Sequence, residues 1–122
     1  MNTEEIRAFC LSLPGTTESF PFDEVTLVFK VMGKMYCLMN LDGETGVNLK
    51  NTPEKIVEMQ EQYPFVFPGY HMNKVHWNVV KTGPAPAILL RQWIEESYEL
   101  VVKGLTREKK DELKKLKGNE RI

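Results

Sequence analysis

The sequence predicts an α+β domain in which an antiparallel, twisted sheet of about five strands is covered by helices on one face, in the order α-β-β-β-α-β-β-α-α. Three observations carry that prediction. Apolar residues recur every three or four positions near the start and through the last third of the chain. They alternate with a period of two over Val25–Val31. The strand and helix signals are segregated rather than alternating one for one, which argues against a parallel βαβ sheet. The length of 122 residues suits one domain, assigned to residues 1–117 and followed by a frayed tail at 118–122. A composition of 42% hydrophobic and 27% charged residues excludes wholesale disorder.

The elements follow in order. Ile6, Phe9, Cys10 and Leu13 form the apolar stripe of a first helix, with Asn2 and Glu5 spaced as a capping box. Pro14-Gly15 ends that helix, and Gly15–Pro21 reads as a loop. Val25–Val31 is a strand with Val25, Leu27, Phe29 and Val31 on its buried side; Met32-Gly33-Lys34 turns the chain, and Met35–Asn40 returns as the hairpin partner. Asp42–Gly46 turns again into a short strand, Val47–Lys50. Asn51-Thr52-Pro53-Glu54 starts a helix, with a capping residue ahead of proline at the first helical position. It carries Ile56, Val57, Met59 and Gln60 towards Tyr63 and stops at Pro64. Two extended segments, Phe65–Pro68 and Val75–Val80, precede the longest helix, whose core stripe is Ile88, Leu89, Trp93, Ile94, Tyr98, Val101, Val102 and Leu105. Gly104 marks a break, and Thr106 caps a last basic helix with a thin stripe of Leu113 and Leu116.

The net charge of −1 hides an asymmetry. Residues 1–102 carry 8 basic and 13 acidic side chains, whereas residues 103–122 carry 8 and 4. A basic terminal helix serves either as a phosphate-binding surface or as a plain solvated face. Such a chain is no general polyanion binder, so nucleic-acid contact has to come from a local patch. Cys10 and Cys37 make no disulfide framework and read as buried free thiols. The acidic start MNTEEIRAFC is unlike a secretory signal, and no apolar run reaches the roughly 20 residues of a membrane span. A cytoplasmic monomer without membrane contact is expected.

Chemistry concentrates in Pro68–Asn78, which holds both histidines, Trp77 and the side-chain amides of Asn73 and Asn78. The same residues have a plain structural use, with Asn78 or His71 satisfying backbone groups and Trp77 filling core. His71 and His76 are five apart, which in a continuous strand sends them to opposite faces, and no third ligand is nearby; no metal is expected. No nucleophile motif or glycine-rich phosphate loop is present, so neither catalysis nor a cofactor is expected. Lys34 at a hairpin tip, Lys30 beside it, and Lys74 and Lys81 bracketing the second extended pair would grip phosphates if the two turns project together. His71, Asn73, His76 and Trp77 would then form the more specific part of the surface. Against this, Glu18, Asp23, Glu24, Asp42 and Glu44 stand in the same loops.

A set of motifs then becomes recognisable. Leu13-Pro14-Gly15-Thr16-Thr17-Glu18-Ser19-Phe20-Pro21-Phe22, Phe29–Met35, Val47-Asn48-Leu49-Lys50, Pro68–Lys74 with His76-Trp77-Asn78, and Trp93-Ile94 with Ser97-Tyr98 together resemble the MmcQ/YjbR family of small bacterial proteins, from about residue 3 to about residue 110. The resemblance implies a CyaY-like fold and a DNA-binding role through a double-wing arrangement, and it brings no catalytic residue set. Frataxin-type iron binding, which the fold's name brings up, calls for an acidic ridge, and Glu4, Glu5, Asp23 and Glu24 are too few and too scattered to make one. The expected function is therefore non-enzymatic binding of DNA. The alternative is a protein- or small-molecule-binding domain with the His/Asn/Trp cluster lining a pocket between the sheet and the long helix.

Overall fold

The computed structural model describes residues 1–69 and 72–120, with side chains to residue 117. The chain opens with α1 (Thr3–Ser12), which the Asn2–Glu5 capping box starts: the Asn2 side chain accepts from the Glu5 N–H, and the Glu5 carboxylate accepts from the Asn2 N–H. Then come β1 (Thr16–Ser19), β2 (Thr26–Val31), β3 (Lys34–Asn40), β4 (Gly46–Lys50), α2 (Pro53–Gln62), β5 (Val66–Pro68), β6 (Trp77–Lys81), α3 (Ala87–Lys103) and α4 (Arg107–Glu120). The strands form one antiparallel sheet in the order β1-β2-β3-β4-β6-β5.

Six strands are present where about five were expected. The additional one is β1, within the segment read as a loop. Its sequence, Thr-Thr-Glu-Ser, has no apolar alternation because it is an edge strand. Pairing with β2 and an ion pair from Glu18 to Arg7 on α1 hold it in the sheet. The last helix also runs past the boundary set at residue 117, with backbone helix continuing to Glu120.

Sheet alternation sorts the side chains onto two unlike faces. Leu27, Phe29 and Val31, then Cys37 and Met39, Val47 and Leu49, Val66 and Val80 meet the helices in the main core. There α3 contributes Leu90, Trp93, Ile94, Tyr98 and Val101. Leu90 takes a place expected for Ile88, which is 75% exposed on the far side of the helix. Val25 and Val57 likewise lie outside the core. The opposite face carries no helix residue in its small cluster of Val28, Leu38 and Trp77, which Met35 and Met72 partly cover.

A bulge interrupts the β2–β3 ladder: Phe29 pairs with Cys37 and Lys30 with Met35, so Tyr36 is the extra residue. It turns inward, donating its hydroxyl hydrogen bond to the Cys10 carbonyl (3.1 Å) and meeting the Tyr98 ring edge-on at 5.3 Å. Beyond Leu49 the β3–β4 pairing stops. There Ser97 of α3 bridges the strands, accepting from the Lys50 N–H (2.8 Å) and donating to the Tyr36 carbonyl (2.6 Å). The Cys10 and Cys37 thiols are both free and buried, as the composition suggested.

Candidate functional site

The strand directions give the sheet two chemically different ends. At one end lie the β2–β3 turn, the C-terminus of β4 and residues 72–76 leading into β6. Met32 and Gly33 both adopt positive φ (49° and 86°), the backbone of a two-residue hairpin turn, and this presents Lys34 at the tip. Lys30 lies on the open face one step before it, and Lys50 pairs with Trp77 in the same region. Lys74 is exposed in the approach to β6. Among the described residues, Lys30, Lys34, Lys50 and Lys74 make no ion pair.

The opposite end holds residues 20–25 and 41–45, with Asp23, Glu24, Asp42 and Glu44. Apart from Glu18, which lies in β1 beside Phe29 and pairs with Arg7, the lysines and carboxylates that seemed to share the same loops are thus separated along the strands. Strand β3 spans Lys34–Asn40, about 20 Å at roughly 3.3 Å per residue. The Debye length at physiological salt is about 8 Å, so those acids are well screened from an anion at the lysine end. Lys81 belongs to the acidic end. Its ammonium is 3.3 Å from Glu44 and 5.0 Å from the centre of the Phe67 ring, so it does not join the other lysines.

The basic terminal helix is packed on the domain. Leu105 and Leu113 anchor it in the main core. Gly15, at φ +75°, is so close that a Cβ there would stand 2.7 Å from Leu113 and 3.3 Å from the Met32 sulfur. That contact seats α4 beside the β2–β3 turn, its lysines interspersed with Glu108, Asp111 and Glu112 and Lys109 paired with Glu112.

The residues proposed to read bases are dispersed. Trp77 is buried against Val28 and Leu38. The Asn73 side chain accepts from the Val75 N–H (2.8 Å), and its carbonyl takes the N–H groups of His76 and Trp77, so it shapes the entry to β6. The His76 carbonyl accepts from the Asn51 N–H (2.9 Å), extending the β4–β6 ladder. His71 lies outside the described residues. Asn78, fully buried, donates to the Ile56 carbonyl (3.2 Å) and accepts from Gln60 (2.7 Å), tying β6 to α2. Gly69 is required by close approach: a Cβ there would fall 2.9 Å from the Trp77 carbonyl oxygen.

The alternative pocket between sheet and long helix is filled by the main core. A hollow of about 630 Å³ lies on the open face instead, lined by Phe22, Asp23, Leu38, Asn48, Met72 and Lys81 among others. Of the expected lysines only Lys81 reaches it, and Asn73, His76 and Trp77 do not line it. No group of three or more metal-ligating side chains converges among the described residues. No described helix is long and apolar enough to cross a membrane.

Comparison with known proteins follows the fold. The chain is 41% identical over 106 residues to the uncharacterized protein YbdF of Escherichia coli O157:H7, covering 85% of this chain and 87% of that protein. It is 28% identical over 112 residues to the uncharacterized protein YjbR of Escherichia coli K12, covering 90% and 95%. The crystal structure of Deinococcus radiodurans protein DR2400, a DUF419 domain, superposes with a TM-score of 0.85 at 39% identity, covering 92% of this chain and 87% of that one. A Pseudomonas syringae protein superposes with a TM-score of 0.73 at 26% identity, covering 82% and 98%. The YjbR family model matches residues 11–100, and with this fold and these relatives the chain belongs to the YjbR family.

Proposed function

We propose that this protein is a non-enzymatic binding domain that holds nucleic acid by its phosphate backbone, at the lysine-bearing end of the sheet. The observation that carries the reading is the separation of charge along the strands. Lys30, Lys34, Lys50 and Lys74 gather around two turns at one end, while Asp23, Glu24, Asp42 and Glu44 stand at the other, about 13 Å or more away along the strands, and Glu18 is paired with Arg7. The α4 helix supports it, being seated beside the β2–β3 turn by Leu113. Two projecting turns flanked by a basic helix suit a duplex, whose phosphates recur along both strands.

The same geometry argues for low sequence specificity. Trp77 is covered and Asn73 is engaged in the backbone, so neither is available to stack on or read a base. Phosphate contact positions a protein on a duplex without selecting sequence.

The test is fluorescence anisotropy of a labelled random duplex across a salt series. Four lysine contacts predict a slope of log affinity against log salt of about −3.6, steeper if α4 contributes. Lys34→Ala and Lys74→Ala each reduce the slope by about 1, equally for unrelated sequences, whereas Lys81→Ala leaves it unchanged. Absence of binding at low salt, or sensitivity confined to Lys81→Ala, would refute the reading.

A further inference from the structure

The end of the sheet opposite the lysines exposes apolar side chains as a group. Phe20 follows β1, Phe22 and Val25 stand in the loop before β2, and Leu41 follows β3. Phe22 is 63% and Phe20 48% exposed, and Val25, Leu41 and Phe67 each exceed a third. The other large apolar side chains exposed among the described residues are scattered. Leu11, Val57, Ile88 and Leu116 stand on α1, α2, α3 and α4 respectively, and Val75 precedes β6. Single apolar residues are ordinary on a surface, whereas a contiguous exposed group marks an interaction site.

Contiguity follows from the pairing. The Leu41 N–H donates to the Val25 carbonyl at 2.7 Å, which clasps the two loops together beyond the Thr26–Asn40 pair. Phe22, Asp23 and Glu44 come together at the edge of the open face. Glu44 meets the Lys81 ammonium at 3.3 Å, and that ammonium stands 5.0 Å from the centre of the Phe67 ring. The charge of this end is one-sided. Lys81 is matched by Glu44, while Asp23, Glu24 and Asp42 make no ion pair among the described residues. Three uncompensated carboxylates around an apolar group repel nucleic acid and an anionic membrane alike. A wholly apolar partner would strip water from them without supplying a counter-charge. A partner that carries cations beside its apolar side chains meets both demands.

We infer that this end of the sheet docks a basic segment of another protein, anchored by apolar side chains. The anchors cover Phe22, Val25 and Leu41, and lysine or arginine side chains meet Asp23, Glu24 and Asp42 around them. Apolar centre and charged rim are the usual parts of a protein–protein interface. The centre sets most of the affinity, and the rim sets orientation and the rate of encounter. Nucleic acid and this partner belong to opposite ends of the sheet, so either inference can fail without the other.

The test titrates the intact protein into short dye-labelled peptides: one of lysine and leucine, one with serine replacing leucine, and one with glutamate replacing lysine. Fluorescence anisotropy should show the lysine–leucine peptide binding, with affinity that falls as salt rises. The serine peptide should bind about tenfold more weakly for want of its anchors, and the glutamate peptide not at all. Phe22→Ala should weaken the lysine–leucine peptide about fivefold. Glu24→Gln combined with Asp42→Asn should flatten its salt dependence, and Val57→Ala, exposed but solitary, should change nothing. All four positions are exposed, so the fold is retained. In the isotope-labelled protein the peptide should shift the amides of Val25, Leu41 and Asp42 and leave those of Lys34 and Lys74 in place. No binding of the lysine–leucine peptide, equal binding of the serine peptide, an unchanged affinity in Phe22→Ala or shifts centred elsewhere would each overturn the inference. So would Phe22-dependent binding to neutral phosphatidylcholine vesicles, which would assign the patch to lipid. Self-association at high concentration that Phe22→Ala abolishes would overturn it too, by assigning the patch to a second copy.

Discussion

Ser97→Ala should be among the most damaging single-atom deletions in this protein. The Ser97 hydroxyl replaces a rung of the sheet where the Tyr36 bulge ends the regular β3–β4 ladder. It accepts from the Lys50 N–H at 2.8 Å and donates to the Tyr36 carbonyl at 2.6 Å. Ser97 is completely buried, so water does not readily substitute. Alanine leaves a main-chain donor and a main-chain acceptor unpaired at once. Each buried orphan costs about 1–3 kcal/mol, and because Lys50 is only partly covered we expect a total of about 3 kcal/mol. With an unfolding entropy of about 2.1 cal/mol/K per residue, that corresponds to a fall in Tm of roughly 10 °C. Urea unfolding followed by tryptophan fluorescence measures the change, and Ser97→Cys, similar in size with a weak donor, should lie between. Hydrogen exchange of the Lys50 amide should accelerate more than that of Val47. A loss below about 0.5 kcal/mol, the scale of an ordinary surface substitution, would refute the role given to this hydroxyl.

Other consequences are simpler to read. A hydrogen bond with the Cys10 thiol, and then burial, push the Cys37 thiol well up from its usual pKa; both thiols are buried, so Ellman's reagent should find neither cysteine in the native protein and both after denaturation. Gly69→Ala forces a Cβ to within 2.9 Å of the Trp77 carbonyl and should destabilise the protein by about 1–3 kcal/mol in the same urea assay. Asn2→Ala removes the capping box of α1 and should cost about 1 kcal/mol. Asp23, held below its ordinary pKa by backbone N–H groups, contributes stability above the usual carboxylate range and loses it as pH falls through its lowered folded value. Thermal melts between neutral and acid pH should therefore show a smaller acid-induced loss in Asp23→Asn than in the parent.

Features that depend on near neighbours in the chain were legible in the sequence. The Asn2–Glu5 box, the Thr52-Pro53 start of α2, the Gly104 break and the Thr106 cap all stand where expected, since each is decided within a few residues. Features decided by pairing were less so. Thr16–Ser19 has no apolar alternation, and its strand character comes from β2 and Arg7. The Tyr36 bulge puts two consecutive residues, Tyr36 and Cys37, into the main core, where a period of two predicts one. On α3, Ile88 and Leu90 are equally apolar, and only packing against the sheet decides which is buried.

The candidate site follows the same division. Lys30, Lys34 and Lys74 were identified as a group because their turns flank strands in the sequence. That Lys81 belongs with Glu44 at the other end requires the β4–β6 register. Lys50 and the placement of α4 depend on long-range contacts that no local pattern records. The open-face hollow draws on residues from Phe22 to Lys81, brought together only by the sheet. Asn78 is buried with its amide matched by Ile56 and Gln60 of α2, and Trp77 is buried against Val28 and Leu38 on the other face, placements that depend on the sheet rather than on local sequence.

The most direct test of the account is an NMR titration of the labelled protein with a short random duplex at low salt, mapped by residue. The account predicts shifts at Lys30, Gly33, Lys34, Lys50 and Lys74 and along α4, with the amides of Asp42–Thr45 and of Lys81 unmoved. Shifts centred on the acidic loops or the open-face hollow, or none anywhere, would contradict the assignment of phosphate binding to the lysine end of the sheet.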